Sequence, residues 1–193
     1  MEKNSSNIFI LFAPGLGGHH VANMLSTDKR FMQRATLSDY ENHLKKRSDA
    51  HIKIDVNNDL MLSNDQNKVL LLHFGTLIWD YEKVKKFKNR KILIIEFPKN
   101  KNTLAFKRFA DYNKNFYLNN KYMFQEQRLL YSQCIIEKLV SEKDFFNIES
   151  EKIFDDNFDF IYDFVLNTMN LNIDYNLCKN MHDKWINTIK KSI

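Results

Sequence analysis

At 193 residues, with 44% hydrophobic residues and 16 Phe, the chain fits one globular domain with a proper core. Its net charge of +5 is mild, and suits an anionic small ligand, nucleic acid or an ordinary lysine-rich surface. No apolar run approaches the length of a membrane span, the first one is too short for a signal-peptide core, and Cys134 and Cys178 stand too far apart for a metal-binding spacing, so a reduced, metal-free cytoplasmic protein is expected.

In chain order, Asn7 to Ala13 reads as a first strand and His19 to Leu25 as a first helix, which Asp28 to Met32 extends or follows. Ser38 and Glu41 have the spacing of a capping box for a second helix. His51 to Val56 alternates polar and apolar residues, as a half-exposed edge strand or a loop would. Lys68 to Phe74 is nearly continuous in apolar residues, the pattern of a buried parallel strand. A helix over Trp79 to Lys88 leads to a further buried strand, Lys91 to Phe97. Asn102 or Thr103 caps a helix through Leu104, Phe106, Phe109 and Ala110, and a long helix is expected over Tyr122 to Val140. Asp144 to Glu149 reads as a short fourth strand. Two helices follow, marked by Phe158, Ile161, Tyr162, Val165 and Met169, then by Leu177, Met181 and Trp185. The alternation predicts one α/β domain over residues 1–193, a three-layer α/β/α sandwich around a mostly parallel sheet of four to five strands.

Punctuation residues carry the functional signal. Of only four glycines, three fall in Gly15-Leu16-Gly17-Gly18, directly after the first strand. Gly75, Pro14 and Pro98 likewise stand at the carboxyl ends of predicted strands. Ligands of open α/β sheets bind outside those ends. A glycine-rich turn entering a helix presents backbone N–H groups to an anion, usually a phosphate. The other meaning of such a turn is close helix–strand packing.

The order of these pieces resembles the P-loop sulfotransferase superfamily. That family opens with a strand, the loop Pro-Lys-Ser-Gly-Thr-Thr and a helix; here the stretch is Pro14-Gly15-Leu16-Gly17-Gly18-His19. Its second strand ends in Lys-Thr-His, here Leu71-Leu72-His73, and its third in Arg-Asn-Pro before a basic residue and a helix bearing a serine, here Glu96-Phe97-Pro98-Lys99, with Thr103 near the serine's place. Its C-terminal acidic segment is similar to Glu149-Ser150-Glu151-Lys152-Ile153-Phe154. The resemblance implies a P-loop NTPase-like fold and transfer of a sulfuryl group from 3′-phosphoadenosine 5′-phosphosulfate to a hydroxyl of a sugar or other small acceptor. It assigns the donor's phosphosulfate to Pro14, Gly15, Leu16, Gly17, Gly18, His19 and His20, its 3′-phosphate to Lys99 and Thr103, and the base to His73. No metal and no nucleic acid enter that chemistry.

The chain departs from the family pattern at three places: Gly15 replaces the loop lysine, Gly18 and His19 replace the hydroxyls, and Glu96 replaces the third-strand arginine. Gly17-Gly18-His19 followed by Met24-Leu25 is also similar to the Gly-Gly-His loop of some nucleotide-sugar glycosyltransferases of the two-domain B type, one family of which comprises single-domain chains that need a partner subunit. A non-catalytic relative that retains only anion or nucleotide binding is the third alternative.

The remaining residues divide by pattern. Histidine suits a base because its ordinary pKa lies near neutrality, whereas a core histidine at a strand end is the alternative for His73. Adjacent residues of a helix face different ways, so at most one of His19 and His20 points into a site. His182 and Trp185 read as core and surface positions, and Glu149 and Glu151 as helix-capping or loop-pinning acids. The basic run Lys83 to Lys91 reads as a solvated helix end.

Overall fold

The computed structural model describes residues 7–13, 15–31, 69–73, 90–116 and 145–193. Expectations for Pro14, for Ser38 to Val56, for Trp79 to Lys88 and for Tyr122 to Val140 fall outside them.

Four strands form one parallel sheet. They are β1 (Asn7–Phe12), β2 (Val69–His73), β3 (Arg90–Glu96) and β4 (Phe145–Glu149), in the spatial order β2-β1-β3-β4. Every residue of β1 is buried. Successive side chains of a strand point to opposite faces, so β1 is covered on both, which is what its unbroken apolar run requires. Ile8 and Ile10 are wholly inaccessible, and each such side chain contributes about 1.5–3 kcal/mol by leaving water. β3 is buried over Ile92 to Ile95, and β4 carries alternation at its end, with Ile148 buried between exposed Asn147 and Glu149.

Helix α1 (Gly18–Leu25) follows β1 and packs on β1, β2 and the C-terminal helix. Helix α2 (Leu104–Phe116) follows β3. After β4 come α3 (Ser150–Ile153), α4 (Phe158–Asp163), a π-helical segment Phe164–Thr168, and α5 (Tyr175–Ser192). Asn157 caps α4 by accepting from the Asp159 N–H, and Asp174 caps α5 by accepting from Leu177.

The first helix ends at Leu25, as expected, and the segment from Asp28 follows it rather than extending it. Ser26 and Thr27 turn their hydroxyls back onto the carbonyls of Ala22 and Met24, at 2.7 and 2.8 Å, which satisfies the helix end locally. Asp28 then closes the junction with the C-terminal region. Its buried carboxylate accepts from the Arg30 N–H, the Arg30 guanidinium and the Asn172 N–H, while Arg30 also donates to the Asn170 carbonyl. Burial pushes this carboxyl up, but the bonds from Arg30 and Asn172 and the guanidinium charge outweigh it and hold it below its ordinary value.

Candidate functional site

β1 has β2 on one side and β3 on the other. The chain leaving β1 therefore runs toward one edge of the sheet and the chain leaving β3 toward the other. Such a reversal opens a crevice outside the carboxyl ends of the two strands. Gly15 to Gly18 follow β1 at that end of the sheet, and Phe97 to Thr103 follow β3.

The turn after β1 needs two glycines for its backbone. The Leu16 N–H donates to the Ala13 carbonyl at 3.1 Å, closing a tight turn in which Gly15 takes φ 90°. Gly17, with φ 79°, is the N-cap of α1. Both angles lie in the left-handed region that a Cβ disfavours. The turn is also closely packed. A Cβ on Gly15 would lie 3.0 Å from Tyr112 Cβ on α2, one on Gly17 would lie 2.9 Å from Trp185 on α5, and one on Gly18 would lie 2.3 Å from the Phe12 ring. Leu16 is wholly buried. Close packing thus accounts for all three glycines. The turn still has an anion-binding feature. No side chain caps α1, and among the described residues neither Gly17 nor Gly18 has a backbone acceptor for its N–H. An uncapped first turn carries partial positive charge.

The two histidines that begin α1 part ways, as adjacent helical residues must. His19 is half-buried and meets the Phe12 ring edge-on at 5.5 Å between centroids. His20 is buried, stacks on Trp185 at 4.1 Å and bonds through Nε2 to His182 Nδ1 at 3.1 Å. His73 ends β2 in register with Phe12, which puts its backbone at the same sheet edge as the glycine turn; its side chain lies outside the described part of the structure.

Lys99 and Thr103 stand after β3 with partners of their own. Lys99 Nζ lies 3.0 Å from Glu96 and 3.4 Å from Glu149, whose Cα positions pair across β3 and β4. The bond from Glu96, its charge and then Glu149 hold the Lys99 ammonium above its ordinary pKa. Thr103 Oγ1 donates to the Asn100 carbonyl and accepts from the Phe106 N–H, so it caps α2. Glu151 accepts from the N–H groups of Lys99 and Asn100, pinning the loop after β3. Burial raises the Glu151 carboxyl, but bonds from its own N–H, from those of Asn100 and Lys99 and from the Ser150 hydroxyl bring it below its ordinary value. The loop-pinning role expected for Glu151 and the cap expected at Thr103 are both present.

The patterns in the sequence did not point to the cover of the turn. Trp185, expected at the surface, is buried and lies over Gly17. His182, expected in the core, is there, but its bond to His20 was not foreseen. The i, i+3 spacing of His182 and Trp185 puts both on one helix face and was the available signal. No protein-family model, no curated protein and no solved structure matches this chain at a significant level. Among the described residues no group of three His, Cys, Asp or Glu is placed to hold a metal ion, and no helix is long and apolar enough to cross a membrane.

Proposed function

We propose that the crevice between β1 and β3 binds the phosphate of a nucleotide donor, and that the protein is a sulfotransferase-like enzyme on a P-loop NTPase-like fold. The observation that supports this is the uncapped start of α1, reached through a glycine turn directly after a fully buried central strand, at the point where strand order reverses. The Gly17 and Gly18 N–H groups hold the 5′-phosphosulfate, with His19 beside them. His73 takes the proton of the acceptor hydroxyl as its oxygen bonds to sulfur. The bond from sulfur to the phosphate oxygen breaks, and 3′-phosphoadenosine 5′-phosphate leaves.

The 3′-phosphate falls to Lys99 and the N-terminus of α2 behind Thr103. Lys99 must exchange its bonds to Glu96 and Glu149 for the phosphate. That engagement favours a second reading, a uridine diphosphate sugar donor of a glycosyltransferase, which has no 3′-phosphate and asks nothing of Lys99.

Thermal unfolding with each ligand separates the two. A nucleotide at about a hundredfold excess over its Kd stabilises by about 2.7 kcal/mol, or a Tm rise of about 5–10 °C for a chain of this size. A rise with 3′-phosphoadenosine 5′-phosphate alone supports sulfuryl transfer, and a rise with uridine diphosphate alone supports glycosyl transfer. No rise with either removes the nucleotide claim and leaves a non-catalytic protein.

A further inference from the structure

Among the described residues the exposed large apolar side chains are Tyr112, Phe160 and Ile193. Phe160 lies on α4 with the Lys152 ammonium over its ring, and Ile193 ends the chain. Tyr112 meets the glycine turn. It continues the face of α2 on which Ala105 and Phe109 are buried, yet it is 41% exposed.

The packing that brings it to the turn depends on Gly15. A Cβ there would lie 3.0 Å from the Tyr112 Cβ, 3.4 Å from its Cγ and 3.4 Å from the Phe109 Cα. α2 therefore lays its backbone and the root of the Tyr112 side chain on the turn, while the ring stays partly open to solvent. The same helix packs on α3, which follows β4, so it touches the chain beyond the carboxyl ends of both β1 and β4. Arg108, one turn earlier on α2, is half-buried. Its guanidinium lies over the Tyr112 ring, 5.7 Å from the centroid, and 3.7 Å from the Asp111 carboxylate. A guanidinium at that distance is attracted by the ring's quadrupole and steadies the ring.

Gly17 stands two residues beyond Gly15, at most about 7 Å along the chain. In a nucleotide the ribose separates phosphate from base, so a base whose phosphate is held at Gly17 and Gly18 comes within reach of this ring. Every base has a flat face that stacks on an aromatic side chain. We propose that Tyr112 is the platform on which the base of the bound nucleotide stacks. The inference rests on the nucleotide reading of the glycine turn, and it names the residue that separates a nucleotide from a bare phosphate there.

Calorimetry of the full chain tests it, with no acceptor present. The ligands are 3′-phosphoadenosine 5′-phosphate, uridine diphosphate and inorganic pyrophosphate, and the proteins are the unmodified chain, Tyr112→Phe and Tyr112→Ala. Alanine keeps the Cβ that meets Gly15. Stacking predicts that the nucleotide that binds weakens by about 5- to 150-fold in Tyr112→Ala and by less than about twofold in Tyr112→Phe, while pyrophosphate, which has no base, is unaffected by either change. Unchanged nucleotide affinity in Tyr112→Ala, or an equal loss of pyrophosphate affinity, overturns the stack and leaves the nucleotide reading standing. Failure of both nucleotides to bind the unmodified protein overturns the two together. Should Tyr112→Ala not fold, nuclear Overhauser contacts between base protons and Tyr112 ring protons in the saturated, unmodified protein decide. Their presence supports the stack, and their absence overturns it.

Discussion

Trp185 covers Gly17 so closely that a Cβ there would fall 2.9 Å from the indole Cη2. The contact ties the last helix to the glycine turn after β1. Glycine at this position has two separate reasons, a φ of 79° and the lack of room.

Gly18 separates the two reasons. It lies inside α1 with no positive φ, so helix propensity alone favours Gly18→Ala by about 1 kcal/mol. The new methyl would meet the buried Phe12 ring at 2.3 Å, and overpacking of that kind costs about 1–3 kcal/mol. The steric effect wins, and Gly18→Ala lowers stability. Urea unfolding measures it; an unchanged or raised midpoint would show that Phe12 gives way freely.

Asp28 and Arg30 form the junction between α1 and the turn before α5. Arg30→Ala leaves the buried Asp28 carboxylate with backbone donors only, a loss of about 1–3 kcal/mol. The pH dependence has a definite sign. Because the folded-state pKa of Asp28 is lowered, its contribution is present above the ordinary carboxyl value of 3.8 and is lost as pH falls from there through the folded value. Unfolding of the unmodified protein and of Arg30→Ala across the acid range should show the gap between them narrowing as pH falls. A constant gap would contradict the assignment.

The histidine pair has a dependence of the same sign, set at higher pH. Its folded-state pKa values are lowered from 6.5, so the unfolded chain binds protons first. Stability from the neutral pair is complete above about pH 6.5 and declines as pH falls below it, until the folded pair takes up its proton. Replacing both rings by Gln removes that part of the slope between about pH 6.5 and 5. A slope unchanged by the replacement would assign it to other groups.

Cys178 is buried on α5 beside Thr27, and burial pushes its thiol up to about 12. The thiolate is the reactive form, so alkylation at neutral pH should be negligible in the folded protein and rapid in urea. Mass spectrometry after iodoacetamide treatment of a Cys134→Ser variant reads this directly. Prompt labelling without urea would show that the α1–α5 junction opens freely.

Lys99 offers a charge test of the crevice. Lys99→Ala should weaken 3′-phosphoadenosine 5′-phosphate, and Glu96→Gln should strengthen it by releasing the ammonium and removing a repelling carboxylate. Calorimetric Kd values check both. Equal affinity in all three proteins would take Lys99 out of the ligand site.

The sheet was legible because its strands are buried runs bounded by the few glycines and prolines. Asn7 to Phe12, Lys91 to Glu96 and Phe145 to Glu149 stand where their apolar patterns place them. The cap at Thr103 was legible too, since it acts within three residues of itself. What lay beyond reach was tertiary. Asp28 carries no mark that it will meet Asn172. The glycine turn was visible, but its cover was not: Trp185 lies 168 positions from Gly17, and only folding brings them together.

The most direct measurement is a titration of the ¹⁵N-labelled protein with 3′-phosphoadenosine 5′-phosphate, watching the backbone amides of its four glycines. Binding at the start of α1 predicts large, saturable shifts of Gly17 and Gly18, smaller shifts at Gly15, and the same pattern with a weaker Kd in Lys99→Ala. Glycine amides that stay in place at saturating nucleotide would contradict the claim that this turn holds a phosphate.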